Sequence, residues 1–312
     1  MNYRSFTDMN QLILKKLSQI PRDIDLIVGV PRSGMLPANL FALYLNLPYT
    51  DLNSFVRGYV YKAGERLEEI DVKRHKKVLI VDDSIGSGKA LKKCKQILAP
   101  IAAHYTLEFC VIYATPERKN SIDYFFEVIP TPRIFQWNLF NHPILHHTCF
   151  DIDGVLCPDP TPEQNDDGPK YIEFLETAPV LYLPKCKIGA VVTSRLEKYR
   201  PQTVAWLTKH GIEYDQLLMI DLPDMRSRQL ANNHASHKAT VFNNSKYDLF
   251  IESNLKQAIQ INSKTNKPVF CTENFEMIYD SQSFVYNIKS GKSFPLLRKL
   301  ALNLRNHLKA IV

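Results

Sequence analysis

Residues 78–91 read Val-Leu-Ile-Val-Asp-Asp-Ser-Ile-Gly-Ser-Gly-Lys-Ala-Leu, and this stretch constrains the fold more than any other. Four consecutive apolar residues, Val78 to Val81, predict a short strand buried on both faces, as in a parallel sheet. Two carboxylates, Asp82 and Asp83, stand where that strand is expected to end. A Ser/Gly turn follows, and Lys89 to Leu98 has a helical pattern. Ligands of open α/β sheets bind beyond the carboxyl ends of strands. A helix N-terminus with free N–H groups attracts phosphate. One loop therefore combines carboxylates for hydroxyls or a metal with a cradle for phosphate, which suits a phosphorylated sugar.

The stretch resembles the 5-phosphoribosyl-1-diphosphate (PRPP) motif of type I phosphoribosyltransferases: an apolar strand, two acidic residues, two variable residues and a small-residue loop. Gly86, Ser87 and Gly88 fill that loop. The resemblance implies that Asp82 and Asp83 act at the ribose hydroxyls and help place Mg²⁺. It implies that Ser84, Ile85, Gly86, Ser87, Gly88, Lys89 and Ala90 hold the 5-phosphate. In the family a Thr or Ser usually opens the loop and another follows its last Gly. Here Gly86 and Lys89 stand at those places. Ser87 is then the expected hydroxyl donor, with Lys89 compensating by charge. A capped strand-to-helix turn would explain the small residues but not the whole pattern. A Walker P-loop is excluded, since it needs Gly in place of Asp83 and Ser or Thr after the Lys.

A second strand, Leu26–Val30, leads into Pro31-Arg32-Ser33-Gly34 and a helical run from Pro37 to Leu45. By the same resemblance this loop binds the diphosphate. Arg32 would supply charge-assisted hydrogen bonds, Ser33 would line the loop, and Gly34 would permit close backbone approach. Arg57 to Lys77 is charged and Tyr-rich. It reads equally as a flap that closes over PRPP or as a solvated hairpin.

At 312 residues two domains are expected. No run of about 18 apolar residues predicts a membrane span, and the first residues lack a signal-peptide stretch. Six cysteines without paired metal spacing fit reduced thiols in a cytoplasmic enzyme. The net charge of +7 suits anionic ligands. It also permits nucleic acid or anionic lipid, but there is no aromatic RNA-stacking signature, so nucleic acid is not favoured.

In the second half, a buried strand leads into Asp151-Ile152-Asp153-Gly154-Val155-Leu156. Two carboxylates two residues apart before a Gly turn can face one pocket. This resembles the first motif of haloacid-dehalogenase-type (HAD) phosphatases, Asp-x-Asp-Gly-x-Leu. The resemblance implies Asp151 as nucleophile and Asp153 as general acid/base. Gly189 to Arg195 resembles the second motif, with Thr193 and Ser194 at the phosphate, and Lys238 is the third-motif lysine. Residues 247–253 stand where the metal-binding motif belongs, so Asp151, Asp153 and Glu252 are the implied Mg²⁺ ligands. Ser253 replaces a carboxylate there, which leaves a HAD fold without turnover as an alternative. Residues 157–169 form an acidic, Pro-rich insertion, where Asp166 and Asp167 either touch substrate or are solvated. His146 and His147, if in a strand, face opposite ways and cannot chelate one metal.

Leu297, Leu300, Leu304, Leu308 and Ile311 fall on one face of a helix in the basic tail. A packed terminal helix or homodimer contact is expected, with a membrane-surface helix at the inner membrane face as the alternative.

The expected fold class is α/β, with two doubly wound Rossmann-like domains. Residues 1–115 form a phosphoribosyltransferase-like domain, 116–146 an ordered connector, 147–290 a HAD-like domain and 291–312 the amphipathic helix. The pairing resembles a bacterial group of fused phosphoribosyltransferase–HAD proteins. Three functions stay open. The first is ribose 5-phosphate transfer from PRPP to an acceptor such as a glycan hydroxyl in surface polysaccharide synthesis, with the HAD domain removing the 5-phosphate. The second is nucleobase phosphoribosyl transfer beside a non-catalytic HAD domain. The third is a regulator that senses PRPP or a nucleotide.

Overall fold

Runs of four apolar residues need cover on both faces, and Val78–Val81 lies in a strand inside a parallel sheet, as does the apolar segment Leu26–Val28. In the computed structural model, which describes residues 1–61, 76–227 and 234–284, the chain divides into two units, residues 1–137 and 138–312.

The first unit contains β1 (Asn2–Arg4), α1 (Phe6–Lys16), β2 (Leu26–Gly29), α2 (Met35–Leu45), β3 (Tyr49–Asp51), α3 (Leu52–Val56) and β4 (Lys77–Ile85). These are followed by α4 (Lys89–Leu98), β5 (Thr106–Ala114), β6 (Tyr124–Val128) and β7 (Arg133–Phe135). Five strands form a parallel sheet in the order β3-β2-β4-β5-β6. Successive strands run outward from β2 to β3, then return to β4 on the other side of β2. The strand order therefore reverses between β2 and β4, where ligands of such sheets bind. Gly29 pairs with Val81, so the loop after β2 and the acidic end of β4 emerge side by side.

The apolar faces of both sides of this sheet are covered. Phe41, Ile13 and Phe126 pack on one side, and Phe55, Cys94 and Leu98 on the other, all of them buried. Ser5 starts α1 with a reciprocal capping box to Asp8, which satisfies N–H groups that would otherwise lack partners.

Residues 116–137 are not a connector. β6 pairs with β5, with Cys110 opposite Tyr124, and β7 pairs with β1. The physical reason is aromatic burial. Phe126, Ile134 and Phe135 are buried, and Tyr113, Phe135 and Trp137 stack with centroids 5.0 and 4.9 Å apart along the series. The first unit therefore extends beyond residue 115. Residues 62–75, which make up most of the expected flap, lie outside the described residues.

The second unit has β8 (Thr148–Phe150), α5 (Pro169–Thr177), β9 (Ile188–Leu196), α6 (Arg200–Lys209), β10 (Tyr214–Ile220) and α7 (His234–Asn243). These are followed by β11 (Leu249–Glu252), α8 (Leu255–Thr265), β12 (Val269–Cys271) and β13 (Glu276–Ile278). The sheet order is β10-β9-β8-β11-β12-β13, parallel except for the antiparallel β13. β8 lies at the sheet centre between β9 and β11, so residues after it open onto the point where the order reverses. His146 and His147 lie in a short 3₁₀ turn before β8, not in a strand. The tail helix expected over 291–312 lies outside the described residues.

Candidate functional site

β4 continues four residues past its apolar run, so Asp82 and Asp83 lie within the strand, not beyond it. Successive side chains of a strand point to opposite faces. Asp83 is buried and turns toward the loop after β2. Its Oδ1 accepts from the Ser33 hydroxyl at 2.9 Å, and its Oδ2 from Trp137 Nε1 at 2.7 Å. Asp82 springs from the other face of the strand, lies beside Gly34 of the same loop and lines a small cavity of about 70 Å³ with Ser84, Ser87, Ala90 and Cys94. Its Oδ1 accepts the Asp83 amide at 2.8 Å. Burial, and then the adjacent Asp83, raise the Asp82 carboxyl to about 8.

The loop after β2 meets the acidic end of β4 through Gly34. A Cβ there would lie 2.6 Å from the Val30 carbonyl, 2.7 Å from the Val81 carbonyl and 2.8 Å from Asp82 Oδ1. Any side chain would push the loop away from β4. Arg32 is exposed at the same end, after a cis Pro31–Arg32 peptide.

The β4–α4 loop carries Gly86, Ser87, Lys89 and Ala90 exposed to solvent, and Ser84 partly so. Ile85 is buried and anchors it. Two arginines that sequence reasoning did not single out flank this loop. Arg133 of β7 reaches Gly86, and Arg118 lies against Gly88. Neither could be found from local sequence, because both come from strands or turns distant in the chain.

The described residues of this unit thus assemble an acidic strand end, a small-residue loop opening a helix and a second loop in contact with the strand end. Residues 2–145 match the family model of the phosphoribosyl transferase domain. This part of the chain is a phosphoribosyl transferase domain. Among solved structures, the chain is similar to the xanthine-guanine-hypoxanthine phosphoribosyltransferase of Helicobacter pylori, with 18% identity over 44% of this chain and 92% of that one and a TM-score of 0.33. It is also similar to a purine phosphoribosyltransferase of Pyrococcus horikoshii, with 23% identity over 44% of this chain and 92% of that one and a TM-score of 0.32. No curated protein matches the chain.

Magnesium is implied for the phosphoribosyl transferase domain. Asp83 accepts from Ser33 and Trp137, whereas Asp82 accepts the Asp83 amide and lies against the Asp83 carboxyl. A carboxylate at the open end of a strand fits a hard cation that keeps most of its waters.

The second unit carries a separate cleft of about 320 Å³, lined by Asp151, Asp153, Asp159, Ser194, Lys238 and Ser253 among others. Asp151 follows β8, and Gly154 makes the turn in a left-handed conformation at φ 76°. A Cβ at Gly154 would sit 2.3 Å from Ser253 Oγ, so only glycine fits both the conformation and the space. Lys238 Nζ donates to Asp151 Oδ2 at 2.6 Å, to Glu252 Oε2 at 2.7 Å and to Gln257 Oε1 at 3.1 Å. Burial drives the Asp151 carboxyl upward, and Lys238 opposes it. The two facing carboxylates hold the Lys238 ammonium well above its ordinary range despite its burial.

Asp153 is held differently. Arg195, itself buried, donates through Nε and Nη2 to its carboxylate, with the Nη2–Oδ1 contact at 2.6 Å. Asp153 and Asp151 therefore face opposite cations inside one cleft. Thr193 is buried and its hydroxyl accepts the Arg195 amide at 3.2 Å. Ser194, not Thr193, lines the cleft.

The implied metal ligands are already engaged: Asp151 and Glu252 share Lys238, and Asp153 is held by Arg195. Glu252 is fully buried, and its second oxygen accepts the amides of Ser253 and Asn254 at 3.0 and 3.1 Å. The Ser253 hydroxyl caps the Asp153 carbonyl at 3.2 Å. Among the described residues no group of three or more His, Cys, Asp or Glu is placed to hold a metal ion. The donor set does not fit magnesium as assigned, because each carboxylate already serves an ammonium, a guanidinium or backbone amides.

Asp166 and Asp167 are structural. Asp166 accepts the Gly168 and Tyr171 amides at the start of α5, and Asp167 pairs with Lys198 and the Tyr199 hydroxyl. From the same insertion Asp159 does line the cleft, with its carboxyl raised by burial and by Asp153.

Proposed function

We propose that the chain transfers ribose 5-phosphate from PRPP to an acceptor through its phosphoribosyl transferase domain. The acceptor attacks C1 and diphosphate leaves. Asp82 presents its carboxylate to the ribose hydroxyls and to the cation that accompanies the diphosphate. Magnesium, when bound, supplies charge neutralisation on the leaving diphosphate. Arg32 and the Ser33–Gly34 backbone hold the diphosphate, and residues 84–90 hold the 5-phosphate. Asp83 acts as the organiser: its two hydrogen bonds fix the loop after β2 and Trp137 against β4. The oxocarbenium-like transition state makes positioning and charge the main contributions. The observation that carries this reading is the Ser33–Asp83 hydrogen bond, which joins the loop after β2 to the acidic end of β4.

The acceptor is a hydroxyl, such as that of a glycan, and the second unit then removes the 5-phosphate as a HAD-like phosphatase. Asp151 is the nucleophile and Ser194 and Lys238 meet the phosphoryl group. The support is the presence of Asp151, Ser194 and Lys238 around one cleft in the same chain as a PRPP site. A second reading is favoured by a specific observation. Arg195 occupies the Asp153 carboxylate and Ser253 caps its carbonyl, as expected for a HAD-like unit without turnover beside a nucleobase-specific transferase. Incubation of the full chain with PRPP, Mg²⁺ and candidate acceptors, read by mass spectrometry, tests both. A ribosylated glycan supports the first reading and a nucleoside monophosphate the second. Absence of diphosphate release with every acceptor would favour a sensor without turnover.

A further inference from the structure

Arg133 belongs to β7, which is hydrogen-bonded to β1 and lies outside the five-stranded sheet. Its guanidinium lies against the Phe135 ring, 5.5 Å from the centroid. The other side of the group faces the β4–α4 loop. A Cβ built on Gly86 would lie 3.2 Å from Arg133 Nη2. A side chain at position 86 and the Arg133 fork thus compete for the same space. Nη1 is buried and has no hydrogen-bond partner among the described residues. The carboxylate that acts on the guanidinium is Asp83, but among the described residues it accepts from Ser33 and Trp137 and not from Arg133.

A guanidinium stays charged, so burying one arm without an acceptor is costly. Burial lowers its proton affinity, in line with that cost. An anion in the loop would restore the missing acceptor. A phosphate monoester matches best, since its oxygens suit the planar fork of arginine. The loop itself offers few side-chain donors: Gly86 and Gly88 have none, and Ser87 has one hydroxyl.

We infer that Arg133 is a donor to the 5-phosphate of PRPP, reaching across the side-chain-free Gly86 from a strand distant in sequence. This inference rests on the proposed PRPP site. It separates the two ends of the donor: Arg133 serves the phosphate monoester at the β4–α4 loop, and the diphosphate lies at the loop after β2.

Titration calorimetry of the full chain with ribose 5-phosphate, and separately with inorganic diphosphate, tests it. Arg133→Ala is expected to weaken ribose 5-phosphate binding about 10- to 100-fold, as for loss of a charge-assisted contact. Diphosphate binding should stay within about twofold, which also shows that the variant is folded. Adding Gly86→Thr to Arg133→Ala places a hydroxyl in the vacated space and should recover part of the loss. Arg133→Gln, which keeps most of the stem without charge, should behave like Arg133→Ala if the latter is unstable. Unchanged ribose 5-phosphate binding, or equal loss of both ligands in folded variants, overturns the inference while leaving the PRPP site standing. If the parent binds neither ligand, the PRPP reading fails and this inference fails with it.

Discussion

The Ser33 hydroxyl donates to Asp83 Oδ1 at 2.9 Å, so the loop after β2 and the acidic end of β4 are held as one surface. With Trp137 Nε1 on its other oxygen, Asp83 is an acceptor for two separate segments of the chain. Asp83→Asn replaces one acceptor by an NH₂ that must face a donor. Leaving a buried donor unsatisfied costs about 1–3 kcal/mol. The expected outcome is a lower melting temperature and weaker use of PRPP. Ser33→Ala removes one neutral donor to the carboxylate and should cost less than Asp83→Asn on both measures. Thermal melts and the KM for PRPP check this, and parent-like behaviour of Asp83→Asn would remove its organising role.

Asp82 yields a pH dependence. Its folded-state value is raised to about 8 by burial and Asp83, from an ordinary value of 3.8. Between these values the folded state holds a proton that the unfolded state has released. Asp82 therefore contributes stability at low pH that is lost as pH rises through that window, levelling off above about 8. Donor use runs the other way, because a neutral carboxyl does not hold a cation. The KM for PRPP should fall as pH rises through about 8, and Asp82→Asn should abolish that trend while stabilising the fold at high pH. Paired pH profiles of KM and of denaturation midpoint measure the two trends, and a flat KM profile in the parent would remove Asp82 from donor binding.

Lys238 lies between two carboxylates in the second unit, 2.6 Å from Asp151 and 2.7 Å from Glu252. Removing the cation leaves buried negative charges without compensation. Lys238→Met is expected to destabilise by about 3–5 kcal/mol. Equilibrium denaturation in urea measures this. A change below about 0.5 kcal/mol, the usual range for exposed surface positions, would show that the carboxylates find other partners.

Attack at C1 leaves the 5-phosphate untouched, so its removal needs a separate nucleophile. With Asp151→Asn, the ribosylated product should keep its 5-phosphate, whereas the parent product should lack it. Mass spectrometry of the two products reads a difference of one phosphate group. A phosphorylated product from both proteins would leave the second unit without a part in this reaction.

Much of this protein follows from local residue order. Val78–Val81 and Leu26–Gly29 specify strands because apolar runs of that length need cover on both faces. Lys89–Leu98 and Met35–Leu45 specify the helices that follow them. The acidic pair, the small-residue loop and Asp151–Gly154 are contiguous, so their chemistry is visible in the chain itself. Among the described residues, the partners of those groups are decided by tertiary structure. Alternation along β4 sends Asp82 and Asp83 to opposite faces, and only packing decides that Trp137, 54 positions away, meets Asp83. Arg133 at Gly86 and Arg195 on Asp153 belong to the same class. A charge or hydrogen-bond donor brought in from a distant strand leaves no periodic mark in the sequence. Residues 116–137 show the same limit at the level of the fold. Prolines and aromatics in irregular order read as a connector, yet burying Phe126, Ile134 and Phe135 builds β6 and β7 onto the first unit. Strand pairing over that range depends on which surface remains uncovered once the central strands are in place, and local sequence does not encode it.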